Sequence, residues 1–357
     1  MKNSSMIILA FIIGMMTVGC DKGADSFSLL SSESSFKQNT SYVQRKIDIL
    51  WVIDNSGSME TSQTNLANNF SSFINRFSAL NYDFKMAVTS TDAYLAYHYN
   101  QNSRSKFKDG SGTNHSGVFV MDKFTPSLEQ VFMKNITLGI NGSGDERAFS
   151  SMEHTILNPL NAGFHRDGAF FAVIIVSDED DFSHYDWQNG TSSYYAIKNY
   201  TDTSLFKKDR WISLLNTLTK HDPKSGINDY SVSAIAIKDE ACRTYLNNSF
   251  SGRLIGTRYF ELVDATGGVK GDLCGNFADS LTQISDKVIE LATTFKLDRE
   301  PYESTIQVIV DGMTVPISST NGWTYDSLNW TITFHGNAIP DAGSDVRVYY
   351  DPKNVKL

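Results

Sequence analysis

Residues 170–176, FFAVIIV, are apolar without a break and run straight into Ser177 and Asp178. A strand with one face in water alternates apolar and polar side chains. An unbroken apolar run belongs in a sheet covered on both faces, which in practice means a parallel sheet with helices on each side. The rest of the chain keeps to that plan. KIDILWVI (46–53), DFKMAVTST (83–91) and YSVSAIAIK (230–238) read as further strands. LANNFSSFINRFSAL (66–80), ERAFSSMEHTILNPL (146–160), SLFKKDRWISLLNTLTK (204–220) and GNFADSLTQISDKVIELATTF (275–295) carry apolar residues at helical spacing. Strands alternating with helices specify an α/β fold, a doubly wound and mostly parallel sheet.

In such a sheet ligands collect in the crevice at the carboxyl ends of the strands. The first strand ends there in an abrupt edge, Asp54-Asn55-Ser56-Gly57-Ser58-Met59. Asp54, Ser56 and Ser58 place one carboxylate and two hydroxyls at alternate positions on a tight loop entering a helix. Hard oxygen donors suit Mg²⁺, Mn²⁺ or Ca²⁺ and serve soft metals poorly. The same residue types also cap helix N-termini, so spacing alone leaves a metal site and a capped turn both open.

Asp54-x-Ser56-x-Ser58 after a hydrophobic first strand resembles the metal-ion-dependent adhesion site of von Willebrand factor A domains, the fold shared with integrin inserted domains. The resemblance covers residues 45–297 and extends to RYFELVDATGGVKGDLC (258–274). It implies two further ligands from later loops. Asp178 stands where the family ends its next central strand with aspartate, although Glu179 replaces the usual glycine. Ser143, in INGSGDERAF, stands where the family has threonine, with Asp145 and Glu146 as competitors for that role. The implied cofactor is a divalent cation, most naturally Mg²⁺, with Mn²⁺ or Ca²⁺ as alternatives. Such a cation, held largely by neutral hydroxyls, keeps a coordination position for a carboxylate of a protein or cell-surface ligand.

The N-terminus points to export. Residues 1–19 read as a signal peptide, because the apolar stretch from Met6 to Met16 is too short for the roughly 20 residues that cross a bilayer. TVGC (17–20) resembles the lipobox of bacterial lipoproteins, which makes Cys20 the expected lipid anchor in the cell envelope, at the outer membrane or cell surface. Residues 20–44 read as a flexible serine-rich tether. The two remaining cysteines, Cys242 and Cys274, are expected to pair, since an exported chain favours disulfides and their spacing fits neither a CxxC redox site nor zinc. Forty acidic residues against 31 basic ones, a net charge of −9, exclude nucleic acid as a partner.

No HExxH, GxSxG, GxxxxGK[ST] or GxGxxG motif is present, so the chain reads as no enzyme. His154, His165 and His184 are read as ordinary hydrogen-bonded residues. A hydrolase acting through Asp178, Glu179, Asp180 and Asp181 is the third reading; on the plainer one, only Asp178 enters the site and the rest of that run is a solvated loop edge. Two long insertions leave the carboxyl ends of strands. They carry Tyr94, Tyr97, Tyr99, Tyr185, Trp187, Tyr194, Tyr195 and Tyr200 among small polar residues, a mixture suited either to partner binding or to packing the loops onto the domain. Residues 298–357 switch to period-two alternation around Asp311-Gly312 and read as a small β domain. The leading expectation is metal-dependent adhesion, and the alternative is an envelope scaffold or assembly protein with a structural cation.

Overall fold

The computed structural model describes residues 38–354 except 43, 186, 189–190, 193–196, 198 and 250, with backbone only at 38–41, 187–188 and 191–192. The expected signal peptide, Cys20 and most of the tether lie outside the described residues, as do Tyr194 and Tyr195.

Six strands form the central sheet: β1 (Ile47–Ile53), β2 (Phe84–Ser90), β3 (Val120–Asp122), β4 (Phe170–Val176), β5 (Tyr230–Ala236) and β6 (Lys270–Asp272). Their order is β6-β5-β4-β1-β2-β3, parallel throughout except for β3, which runs antiparallel to β2 at one edge. Pairing is in register from Ile47↔Phe170 to Ile53↔Val176. The unbroken apolar runs are explained by two cores, because alternate side chains of one strand enter opposite layers. Ile47, Ile49, Trp51 and Ile53 pack with α1 (Glu60–Asn69), α2 (Ser71–Ala79), α3 (Leu128–Ile136) and the long C-terminal helix Phe277–Thr293. Leu50 and Val52 face α4 (Ala148–Ile156), α5 (Lys208–Thr219) and the helix Thr257–Thr266. Trp51 anchors the first layer, edge-on to Phe73 at 5.0 Å and Phe132 at 5.1 Å.

The C-terminal strands follow the expected alternation: Val308, Ile332, Phe334, Val346, Val348 and Tyr350 are buried. Asp311 (φ 49°) and Gly312 (φ 81°) close the hairpin between Gln307–Val310 and Met313–Val315, a two-residue turn that needs positive φ at both positions. The boundary expected after residue 297 passes through a sheet, because Phe295–Lys296 pairs with Thr331–Ile332. The apolar residues of this region merge with the first core instead of forming their own. A unit of this size gains stability by sharing a larger core. The tether also ends earlier than expected: Gln38–Ser41 is a strand paired antiparallel with Arg347–Tyr350. Main-chain pairing to a sheet edge needs no apolar side chain, so composition gave no sign of it. No described helix is long and apolar enough to cross a membrane.

Candidate metal centre

The sheet order reverses between β1 and β4. From β1 the chain winds toward β2 and β3, and from β4 it winds toward β5 and β6. Connections that leave in opposite directions open a crevice at the carboxyl ends of these two strands. Asp54 leaves β1 and Ser177–Asp178 leaves β4 at that point, with the Asp54 amide donating to Val176 O at 2.9 Å.

Four of the expected residues meet there. Asp54 is fully buried; one carboxylate oxygen accepts the Ser56 amide at 2.8 Å and the other the Ser177 hydroxyl at 2.8 Å. The Ser56 and Ser58 hydroxyls are 3.2 Å apart, and Ser58 Oγ donates to Asp178 Oδ1 at 3.0 Å. Helix α1 has Met59 at its N-cap with no side-chain cap, so the serines turn toward Asp178 and not toward the helix amides. Burial, then the Glu146 and Asp178 carboxylates, push the Asp54 carboxyl well above the usual range.

These groups suit a hard divalent cation. Neighbouring corners of an octahedron with metal–oxygen bonds of about 2.1 Å stand about 3.0 Å apart, close to the spacing along Ser56, Ser58 and Asp178. Asp54 is fully buried beside the Glu146 and Asp178 carboxylates, and such a carboxylate needs a compensating cation or a proton; Asp178 already has the Arg253 guanidinium. Among the described residues, the group of three Cys, His, Asp or Glu donors lying within 4.8 Å of one another is Cys242, Asp272 and Cys274. Its sulfurs are joined in the expected disulfide, so it is no metal centre. A cation at the crevice would draw on hydroxyls as well as carboxylates.

The loop carrying Ser143 packs directly on the first: the Gly142 amide donates to Asn55 O at 2.8 Å, and a Cβ at Gly142 would stand 2.3 Å from the Asn55 side chain. Ser143 Oγ accepts the Asp145 amide at 3.1 Å and lies 3.3 Å from the Tyr94 hydroxyl. Of its two competitors, Asp145 is committed to Arg147 in a buried ion pair at 2.6 Å, whereas the charge of Glu146 is felt at Asp54. Three supporting residues had no signal in the sequence. Gln63 donates to Asp54 O at 2.8 Å and to Gly139 O at 2.9 Å, tying α1 to the loop before Ser143. Ser177 holds Asp54, and Arg253 holds Asp178 through Nε at 2.5 Å.

The acidic run after β4 is not a solvated edge, because Asp178, Asp180 and Asp181 are all buried. Asp180 accepts the Arg258 amide at 3.0 Å and caps the helix Thr257–Thr266, with burial pushing its carboxyl up to about 7. Asp181 accepts the Phe149 amide at 2.9 Å at the start of α4 and the Ser183 hydroxyl at 2.8 Å. Both serve as caps, a role that one-dimensional reading of a DEDD run conceals. Tyr94 is buried, with Arg147 over its ring at 4.5 Å, so it packs its loop and is not available to a partner. Tyr97, Tyr99, Tyr185 and Tyr200 are exposed. Trp187 lies in a short strand, Trp187–Gln188, paired with Thr191–Ser192. His154 stacks on Tyr97, His165 lies 3.5 Å from Asp48, and His184 Nδ1 is 2.7 Å from Phe182 O.

No protein-family model matches the sequence, and no curated protein matches it. Solved structures similar to this chain include the pilus adhesin SpaC from Lactobacillus rhamnosus GG in its open conformation, at TM-score 0.39 and 16% identity over 88% of this chain and 40% of that one. Proximal thread matrix protein 1 from the mussel byssus is similar at TM-score 0.36 and 12% identity over 73% and 52%. The PilB minor pilin from Streptococcus sanguinis is similar at TM-score 0.35 and 10% identity over 70% and 62%. The chain thus spans less than two thirds of each of these structures, and TM-scores below 0.5 assign it neither fold family nor function.

Proposed function

We propose that this chain is an exported cell-envelope binding protein, not an enzyme, whose von Willebrand factor A-like domain captures an acidic group of a protein or cell-surface ligand through a divalent cation. Asp54, Ser56, Ser58 and Asp178 would hold the cation, most naturally Mg²⁺, with Ser143 or Glu146 completing the set. The observation that carries this reading is the convergence of Asp54 and Asp178 from adjacent strands at the point where the sheet order reverses, joined by two serines that cap no helix. When bound, the cation supplies a coordination position for an incoming carboxylate. Around it, Ser177 and Gln63 hold the Asp54 loop, and Arg253 fixes the Asp178 side chain. Lipidation at Cys20 would keep the protein on the membrane.

A second reading, an envelope scaffold whose cation is structural, is favoured by the burial of Asp54 beside the Glu146 and Asp178 carboxylates, since relieving that repulsion would itself favour the fold. Pull-down from envelope extracts with and without EDTA, combined with melting curves of the same samples, separates the two. Under the first reading the partner leaves while the chain stays folded. Loss of the fold in EDTA supports the scaffold, and a partner retained in EDTA by a folded chain removes the cation from binding.

A further inference from the structure

Beside α4 lie two cavities of about 190 and 390 Å³ that adjoin along Tyr97, His154 and Leu157. At roughly 30 Å³ per water, the smaller has room for about six waters, the space of one small ring, and the larger has room for a second.

The lining is aromatic and polar together. On one side the Tyr97 ring stacks on His154 at 5.4 Å and 18° and remains 57% exposed. On the other, Tyr185 stands edge-on to Phe206 at 4.5 Å and is 59% exposed. Arg210 lies over Phe206 at 4.4 Å and holds both Glu153 oxygens at 2.7 and 2.8 Å. The larger cavity adds the side chains of Asn100 and Asn102, both exposed.

The charges decide the ligand class. Arg210 gives its Nη2 to both Glu153 oxygens, and Arg147, in the lining of the smaller cavity, is paired with Asp145 at 2.6 Å. An anionic ligand beside Arg210 would also meet the Glu153 carboxylate, whose like charge opposes it, and Arg147 is already compensated by Asp145. A neutral polyhydroxyl ring meets no such opposition, because its hydroxyls can donate to Glu153 and accept from Arg210 while its C–H face lies on a tyrosine ring. We propose that this groove binds a neutral saccharide, with one pyranose ring on the Tyr97 side near the Arg210–Glu153 pair and a second in the cavity flanked by Asn100 and Asn102. The groove takes none of the proposed cation ligands into its lining, although Tyr94 and Arg147, which line it, touch Ser143 and Asp145.

The test is saturation-transfer NMR on the full chain, with the methyl glycosides of glucose, galactose, mannose and N-acetylglucosamine and the β-1,4-linked disaccharides of glucose and N-acetylglucosamine as probes. Transfer is expected to ring C–H protons of at least one probe, more strongly for a disaccharide. Tyr97→Ala should weaken binding about tenfold, the effect of no longer covering roughly 55 Å² of apolar surface, and Tyr97→Phe should retain it. EDTA and Asp54→Ala should leave sugar binding unchanged, which keeps this site distinguishable from the metal centre. Tyr185→Ala gives a second reading should Tyr97→Ala melt early. The proposal is overturned if no neutral probe receives saturation, if glucuronate or glucose 6-phosphate binds more tightly than the neutral sugars, or if both folded tyrosine variants bind like the wild type.

Discussion

Arg253 and Asp178 form a buried ion pair in which Nε lies 2.5 Å from one carboxylate oxygen, while the other oxygen accepts the Ser58 hydroxyl at 3.0 Å. The guanidinium therefore fixes which edge of Asp178 faces the serines. Arg253→Met would leave that carboxylate buried and uncompensated, a loss of about 3–5 kcal/mol. The loss should be largest in EDTA and shrink in Mg²⁺, when a second cation faces Asp178. Urea unfolding under both conditions measures it, and an equal loss in each would mean that Arg253 and the cation site are unconnected.

Asp54→Asn keeps an acceptor for the Ser56 amide and removes a charge that burial, Glu146 and Asp178 already disfavour. In EDTA the variant should melt at or above the wild-type temperature. Saturating Mg²⁺, at 100 times its dissociation constant, should stabilise the wild type by about 2.7 kcal/mol and the variant by much less. An identical Mg²⁺ increment in both proteins would show that Asp54 holds no metal.

Three neighbouring substitutions should behave differently in titration calorimetry with Mg²⁺ or Mn²⁺. Glu146→Gln should weaken the metal about tenfold or more, because it removes a charge felt at Asp54. Asp145→Asn should instead destabilise the fold by about 3–5 kcal/mol, because it strands the buried Arg147. Ser143→Ala should weaken the metal if the hydroxyl is a ligand; an unchanged affinity would assign the position to Glu146.

Cys242 and Cys274, 32 positions apart, are bridged. Closing a loop of that length should stabilise by roughly 3–4 kcal/mol in the chain-entropy model. The Cys242→Ser, Cys274→Ser double variant should lose about that much in denaturant. Mass spectrometry of unreduced peptides from envelope-purified protein would refute the bridge by finding two alkylated thiols.

Cys20→Ser should shift the protein from the membrane to the soluble fraction, since a serine-rich segment offers no other attachment. Continued sedimentation with membranes would rule out the lipid anchor.

Legibility of the fold and site divides along physical lines. The continuous apolar strands could be read because burial on both faces leaves a pattern within one short stretch, as Ile47–Ile53 and Phe170–Val176 show. Asp54, Ser56 and Ser58 stood out because one loop supplies all three. Arg253 and Gln63 did not, since each joins the site from elsewhere in the chain and nothing in its local sequence marks a partner. The burial of Asp180 and Asp181 was misread for the same reason: a carboxylate that caps a helix formed by distant residues looks, in one dimension, like a charge facing water. The strand Gln38–Ser41 lacked any signal because main-chain pairing to a sheet edge requires no apolar side chain.

That strand has a kinetic consequence. Gln38 pairs with Tyr350, 312 positions later, and Tyr42 packs on the same core as Val346, Val348 and Tyr350. Contacts between positions so far apart in sequence are costly in loop-closure entropy and tend to form late. An emerging chain can build its parallel sheet strand by strand, yet it cannot complete this edge or close its first core until Val346–Tyr350 has been delivered. During that interval Phe295, Ile332 and Phe334 lack their final cover, which gives chaperones and proteases a defined window in which to act on an unfinished protein.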